Sequence, residues 1–545
     1  MKIRDIVSTL KFNKHNKIFF RNDNEKKINK NFNILVEFNS FHYYHIYLAY
    51  FINIFRKYNS NFFAYPSHVL LSYPIEKTLL QKIKIKILKF LNLGFYGVYQ
   101  TFGVKNFLDI KINDKIKNET SAKFKIIQKK IKSKKDVLNL KINNIYIGDL
   151  LYDTYLKRSR DRVPNLDVKS TKFVKFLNDF ISLFLYWEKF IKDKKINKVL
   201  VSHATYTIGL PARICINKGG EAYLPEYDRL TRLNKKNYFH FSSSRYYKKD
   251  FEKFNRIEKK LFLKEAKKRL NERVSGSIKD IPYMTTSAYS KNSSKNYSKF
   301  KELDQIKKIK NKKKILVTTH DFVDASHDNG IFIFSDMVEW IKYLAKQTKK
   351  TNLIWLIKNH PDMNDEWKQY QKYTRDVVNR LIKDSNFILI DSNIPHNYLI
   401  KKVGIDCVLT VWGQVAHEYA FRKIPVINAS DCNIHSAFNF NYHVKNITEY
   451  TRLIKNIGKM KHKLNYDEVF KFYYMHYIYV EKNWFFKDIE KFISSIGGYH
   501  NLSSKIVYDK WLETINRKDH LTILKNIDNF INSKDLVFTK KNLIK

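Results

Sequence analysis

The stretch from His320 to Asp328, HDFVDASHD, places His320, Asp321, Asp324, His327 and Asp328 within nine consecutive residues. Side chains of these types pass protons near neutral pH or bind a divalent cation. The spacing matches no specific metal motif, so metal-assisted hydrolysis stands as an alternative, and Asp328 with Asn329 also suits the cap of a helix from Ile331. Further along, Lys358 is followed by Asn359-His360-Pro361. Lys358 offers a point charge to a phosphate, and His360 can donate to phosphate or act as acid and base. A turn histidine fixed by Pro361 is the plain alternative. Asp391 to His396 forms another polar loop. In the stretch IDCVLTVWGQVAHEYAFRKIPVINAS (405–430), Gly413 and Gln414 lie between an apolar run and a short helical pattern. A glycine there lets backbone approach a ligand at a helix N-terminus, a natural place for a phosphate. Glu418, one turn inside, is placed to meet a ligand hydroxyl. In the first half, His203 holds a comparable position, as does the pair Asn39-Ser40.

These residues need a scaffold that brings distant loops together, and the pattern around them supplies one. Asn33–Ser40, then helical spacing over His42–Tyr58, then Phe62–Tyr65 reads β-α-β. Gly97–Ile110 suggests another strand with a glycine turn, and Asp149 an N-cap for a helix ending at Lys157 and Arg158. An aromatic helix over Phe173–Lys192 precedes strand 198–202, a loop, helix 208–217, Gly219-Gly220 and strand 221–224. The second half repeats this grammar, with strands at 314–319, 353–358, 387–390 and 405–411 separated by helical patterns. Runs such as ILV, WLI and CVL read as strands buried on both faces of a parallel sheet. Each loop of interest follows a strand's C-terminal end, where open α/β sheets bind ligands. The expected class is α/β with two Rossmann-like domains facing an interdomain cleft. The expected division is a loose basic arm (1–31), a first domain (32–270), a polar linker (271–313), a second domain (314–490) and a helical extension (491–545).

Composition narrows the function. Lys+Arg number 102 against 52 Asp+Glu, a formal charge of +50, with 44% hydrophobic and 15% aromatic residues. That is ample for real cores. The lysines are spread along the whole chain and mixed with Asn, Ile, Phe and Tyr, the bias of an AT-rich genome, and no nucleic-acid-binding signature appears. Nucleic acid is therefore not an expected partner, whereas an anionic membrane surface is compatible with the charge. Three cysteines, Cys215, Cys407 and Cys432, share no CxxC spacing, which points to a reducing compartment. With no signal-peptide core and no apolar run of the ~20 residues a span requires, the expected location is the cytoplasm, peripheral to the inner membrane face.

The segments VYQTFGV (98–104), IGDLLYDTYLKR (147–158), SHATYTIGLPARICINKGGEAY (202–223), THDFVDASHDNG (319–330), KNHP (358–361) and TVWGQVAHEYAFRKIPVI (410–427) resemble bacterial capsule polysaccharide biosynthesis proteins of the GT-B glycosyltransferase class. In outline, KNHP and the 410–427 segment are also similar to capsule Kdo-type transferases and to teichoic-acid polymerases that use CDP-glycerol. The polymerases carry paired serines where this chain has Trp412-Gly413-Gln414. The resemblance implies a nucleotide-sugar donor held by Gly413 and Gln414 at the phosphate, Glu418 at a ribose or sugar hydroxyl, and Lys358 with His360 at the phosphate. It implies a polysaccharide or lipid-linked glycan acceptor. No cofactor or metal is expected. Candidate catalytic groups are His203, His320, Asp321 and Asp324, one of which would take the acceptor's proton. The alternatives are a CDP-polyol phosphotransferase, a metal-dependent hydrolase and a non-catalytic polysaccharide assembly protein.

Overall fold

The computed structural model describes residues 3–19, 28–67, 78–91, 93–158, 166–278, 287–289, 301–359, 368–460 and 465–543. They form two α/β units, each built on its own six-stranded sheet.

The first unit comprises Met1–Leu151, Val168–Tyr238 and Val480–Lys545. Its strands are β1 (Ile28–Phe38), β2 (Tyr58–Pro66) and β3 (Asn106–Phe107), a small hairpin of β4 (Lys141–Ile142) and β5 (Ile145–Tyr146), then β6 (Lys198–Leu200), β7 (Glu221–Pro225) and β8 (Leu230–Leu233). The sheet order is β3-β2-β1-β6-β7-β8, parallel except for the last pair. Ile34, Leu35 and Val36 of β1 are all buried, as a strand covered on both faces requires. The helix His42–Arg56 is buried almost all round, and it packs with aromatic side chains of the chain's last segment, including Trp484, Tyr508, Trp511 and Phe530.

Four expectations for this unit are corrected. The supposed loose arm contains a helix, Ile3–Phe19, whose Phe12 is buried and stacks on Tyr508 at 4.1 Å. Residues 97–110 open in a helix rather than a strand: the helix Gly94–Thr101 precedes β3, which is only two residues long. The segment 491–545 is no appendage, because Arg232 of β8 donates to the carbonyls of Phe530, Ile531 and Ser533, and Val537 bridges Thr231. Asp149 does not cap a helix either. It lies within the helix Gly148–Arg158 and forms a buried ion pair with Arg213 at 2.7 Å.

The second unit comprises Tyr152–Asp167 and Phe239–Tyr479. Its strands are β9 (Lys314–Thr318), β10 (Ile354–Lys358), β11 (Phe387–Ile390), β12 (Cys407–Thr410), β13 (Val426–Asn428) and β14 (Tyr442–His443), in the order β11-β10-β9-β12-β13-β14, all parallel. β9, β10 and β12 are buried at every position. Counted within its own sheet, each unit reads third-second-first-fourth-fifth-sixth. That doubly wound order reverses direction between the first and fourth strands, and a ligand crevice opens at the reversal.

The chain divides at Tyr238/Phe239 rather than near residue 270. The expected linker is also more structured than its composition suggested: the helix Arg256–Ser275 runs on past residue 270 to Gly276 at φ +90°, and Tyr289 is buried. The helix expected from Ile331 begins at Met337, capped by Asp336, whose carboxylate accepts from the Glu339 amide at 2.9 Å. Asp328 and Asn329 therefore do not cap it.

Candidate functional site

In the second unit the reversal lies between β9 and β12, and the residues that follow these strands meet. The His320 ring bonds the Thr410 hydroxyl through Nε2 at 3.1 Å, and the Gly413 amide donates to the same hydroxyl at 3.3 Å. Gly413 does not need glycine for its dihedral angles. A Cβ there would stand 2.8 Å from Thr410 Oγ1 and 3.1 Å from His320 Cε1, so the glycine makes room for the histidine. Trp412 lies against His320 with ring centroids 5.3 Å apart and meets Phe332 edge-on, and Phe332 stacks on His327. The next residue, Gln414, has a buried Oε1 with no hydrogen-bond partner among the described residues. It opens the seven-residue helix Val415–Phe421. A buried amide oxygen left unbonded costs free energy, and a ligand donor could satisfy it.

Lys358 ends β10 on the same rim. It is 2% exposed and its ammonium donates to the Ser392 carbonyl at 2.5 Å. Burial pulls its pKa down to about 8, against the pull of Asp391. Thr319 donates to the Asn359 side chain at 3.0 Å, tying the β9 and β10 ends together. His360 lies outside the described residues.

The loop after β9 distributes its acidic groups among separate partners. Asp321 accepts from the amides of Val323 and Asp324, and its pKa is raised by burial and by the neighbouring Asp324. Asp324 pairs with Lys157 at 2.6 Å. The buried His327 bonds Asp153 at 2.6 Å through Nδ1 and the Ser335 carbonyl at 3.1 Å through Nε2, so both ring nitrogens face oxygen acceptors. The His327 amide also donates to Asp153, and the neighbouring Tyr152 hydroxyl donates to Asp336 at 2.7 Å. The cluster 320–328 therefore does not turn its side chains toward one point. Among the described residues, no three His, Cys, Asp or Glu side chains are grouped to share a cation.

Asp328 is the chemically distinctive member. Burial drives its pKa up to about 7, with His240 opposing and Asp153 and Asp324 reinforcing; among the described residues its carboxylate accepts from Asn329 at 2.6 Å. A carboxyl group poised at neutral pH is what proton transfer to or from a hydroxyl requires. Gly330, at φ +126°, lets the loop pass Cys432 and Arg245: a Cβ would stand 2.9 Å from Cys432 Cβ and 3.3 Å from the Arg245 guanidinium.

Glu418 is 2% exposed, and both of its oxygens have protein partners. Arg273 donates through Nε at 3.0 Å to one, and the Tyr289 hydroxyl donates at 2.8 Å to the other. The structure thus unites His320 and Gly413, with Gln414 beside them, on one rim. It sets Glu418 into a buried ion pair with a helix far back in the chain.

The first unit has its own reversal, between β1 and β6. His203 follows β6, with Nδ1 bonded to the Ser202 hydroxyl at 2.9 Å. Beneath it Glu37 accepts from the Ser202 amide at 2.6 Å and from Asn39 at 2.9 Å, and burial raises its pKa. Asn39 is therefore where strand-end reasoning put it, whereas Glu37 was missed.

Sequence reasoning also missed Asp153, Arg273 and Trp412. Asp153 had a faint signal as an acid in the middle of an apolar helix. Arg273 had none.

No family model matches the chain, and no curated protein matches it. Solved structures to which it is similar include a UDP-GlcNAc 2-epimerase from Neisseria meningitidis bound to UDP-GlcNAc, at 14% identity over 82% of this chain and 97% of that one, TM-score 0.24. They also include a glycosyltransferase from Rickettsia africae, at 10% identity over 93% and 100%, TM-score 0.19. A third is the wall teichoic acid polymerase TagF, at 13% identity over 95% and 100%, TM-score 0.18.

Proposed function

We propose that the chain is a glycosyltransferase that moves a sugar from a nucleotide-sugar donor to a growing cell-surface polysaccharide. The observation that carries the reading is the rim of the second sheet. At its strand-order reversal, the edge where doubly wound sheets take ligands, His320 lies against Trp412 and the next-but-one residue Gln414 has an unbonded buried oxygen, and the loop from that rim carries Asp328, whose pKa burial raises to about 7. In this reading Trp412 stacks on the base or the sugar, the Gln414 amide accepts from a ligand hydroxyl, and His320 and the Gly413 backbone adjoin the phosphates. Lys358 adds positive charge behind the rim.

The acceptor hydroxyl attacks the anomeric carbon, the bond from that carbon to the nucleotide phosphate breaks, and the nucleotide leaves with the bonding pair. The hydroxyl proton passes to a base. Asp328 suits this role better than Asp321, one oxygen of which accepts from two backbone amides, or Asp324, which pairs with Lys157. His203, in the first unit, is assigned to the acceptor glycan, and His360 to the donor phosphate.

The test is transfer from a panel of labelled nucleotide sugars, with CDP-glycerol included. A sugar appearing in polymer with release of a nucleotide supports the proposal. Asp328→Asn should slow turnover by about two to four orders of magnitude while leaving donor affinity intact. Phosphate entering the polymer from CDP-glycerol would replace this reading with polyol-phosphate transfer.

A further inference from the structure

The helix Leu79–Phe90, LLQKIKIKILKF, belongs to the first unit, begins with a Thr78–Gln81 capping box and contains no acidic residue. At about 3.6 residues per turn, Leu79, Leu80, Ile83, Ile87 and Phe90 fall on one face. That face is open to solvent: Leu79 is 73% exposed, Leu80 78% and Phe90 85%, with Ile83 and Ile87 also exposed. The opposite face, with Ile85 and Leu88, is the half-buried one. A helix needs one apolar stripe to dock on its own protein, and this one carries a second that is open to solvent among the described residues of its unit. Lys84 borders the open stripe on one side and Lys86 on the other, both exposed.

The helix Ile3–Phe19 packs on the same neighbour, the helix Gly94–Thr101, and also exposes apolar side chains, Ile6, Val7 and Leu10, beside Lys11 and Lys14. Clustered exposed Leu, Ile and Phe mark an interaction surface, and isolated ones do not.

We infer that the helix Leu79–Phe90 lies in the interface of an anionic lipid bilayer, with its open stripe among the acyl chains and its lysines at the headgroups. The occupant follows from charge and shape. A flat apolar stripe edged by cations on both sides, without a single carboxylate, fits a negatively charged lipid surface. No helix of the described residues is long and apolar enough to cross a membrane, so the contact is a surface one. The inference is independent of the proposed chemistry, since it concerns the first unit's surface and no residue of the candidate site.

The experiment is co-sedimentation of the full chain with vesicles of phosphatidylcholine alone or mixed in equal parts with phosphatidylglycerol. The expected result is binding to the mixed vesicles, weakened by salt. Lys84→Gln/Lys86→Gln should weaken it about thirtyfold, from roughly 1 kcal/mol per lysine near an anionic surface. Ile83→Glu/Phe90→Glu should abolish it without lowering the melting temperature, because both side chains are already in water. Equal binding to neutral vesicles, or unchanged binding by either variant, would overturn the inference. So would light scattering that shows a dimer which Ile83→Glu/Phe90→Glu dissociates, with no vesicle binding, for then a second copy covers the stripe.

Discussion

Replacing Glu418 with alanine should destabilise the second unit far more than it weakens donor binding. Glu418 and Arg273 are each 2% exposed and joined at 3.0 Å, and the Tyr289 hydroxyl fills the other oxygen at 2.8 Å. Removing the carboxylate strands a guanidinium in a dry site, and breaking a buried pair in this way costs about 3–5 kcal/mol. The orphaned Tyr289 hydroxyl adds roughly 1 kcal/mol. The melting transition should fall by on the order of 10 °C. Glu418→Leu combined with Arg273→Met should recover most of that, because it removes both charges and keeps apolar volume. The assay is thermal unfolding of the single and double variants, with nucleotide titration well below each transition. An alanine variant that melts with the wild type yet no longer binds nucleotide would refute the reasoning and return Glu418 to the ligand.

The remaining expectations concern pH and the rim. Asp328 binds its proton more tightly folded than unfolded, so its contribution to stability is present at acid pH and is lost as pH rises from about 4 through about 7. Asp328→Asn should therefore stabilise the protein at pH 8 and not at pH 4, measured by denaturant unfolding, and should remove the limb of the pH–rate profile near 7. The buried pair His417–His435, bonded at 3.1 Å, behaves oppositely: burial pulls His417 down to about 3 and His435 well below its ordinary value. Their contribution is complete above the unfolded pKa of 6.5 and is lost as pH falls, for His417 toward 3 and by about 2 kcal/mol at pH 5, and His417→Phe should flatten that slope in the same assay. Gly413→Ala forces its Cβ against Thr410 and His320, so nucleotide affinity measured by calorimetry should drop while the melting temperature moves little.

Several elements were legible because they are local. Runs such as Ile315-Leu316-Val317 and Val408-Leu409-Thr410 carry the signature of strands covered on both faces, and their order in the chain made a doubly wound sheet the natural packing. The meeting of His320 with Gly413 followed from that topology alone. What stayed hidden depends on partners distant in sequence. Asp324 finds Lys157 across 167 residues and His327 finds Asp153 across 174, and no pattern in the HDFVDASHD loop reveals that these carboxylates are already engaged. The partners of Glu418 were hidden for the same reason: a glutamate one turn into a helix reads as open to a ligand hydroxyl, and nothing local reveals that Arg273 and Tyr289 lie against it. The Ser/Asn/Lys-rich composition around 270–313 hid the buried Tyr289. The Leu79–Phe90 helix carries apolar residues on both faces, and only their exposure separates a core stripe from a surface one.

The central claim is that the crevice between β9 and β12 grips an activated nucleotide donor, and ligand-dependent unfolding tests it most directly. A nucleotide at about one hundred times its dissociation constant should add roughly 2.7 kcal/mol to the stability of the wild-type protein. At least one member of a panel of nucleoside mono- and diphosphates and nucleotide sugars should raise the melting temperature, Trp412→Ala and Gly413→Ala should lose that rise, and His203→Ala should keep it. No rise with any nucleotide, or a rise that both rim variants retain, would contradict the account.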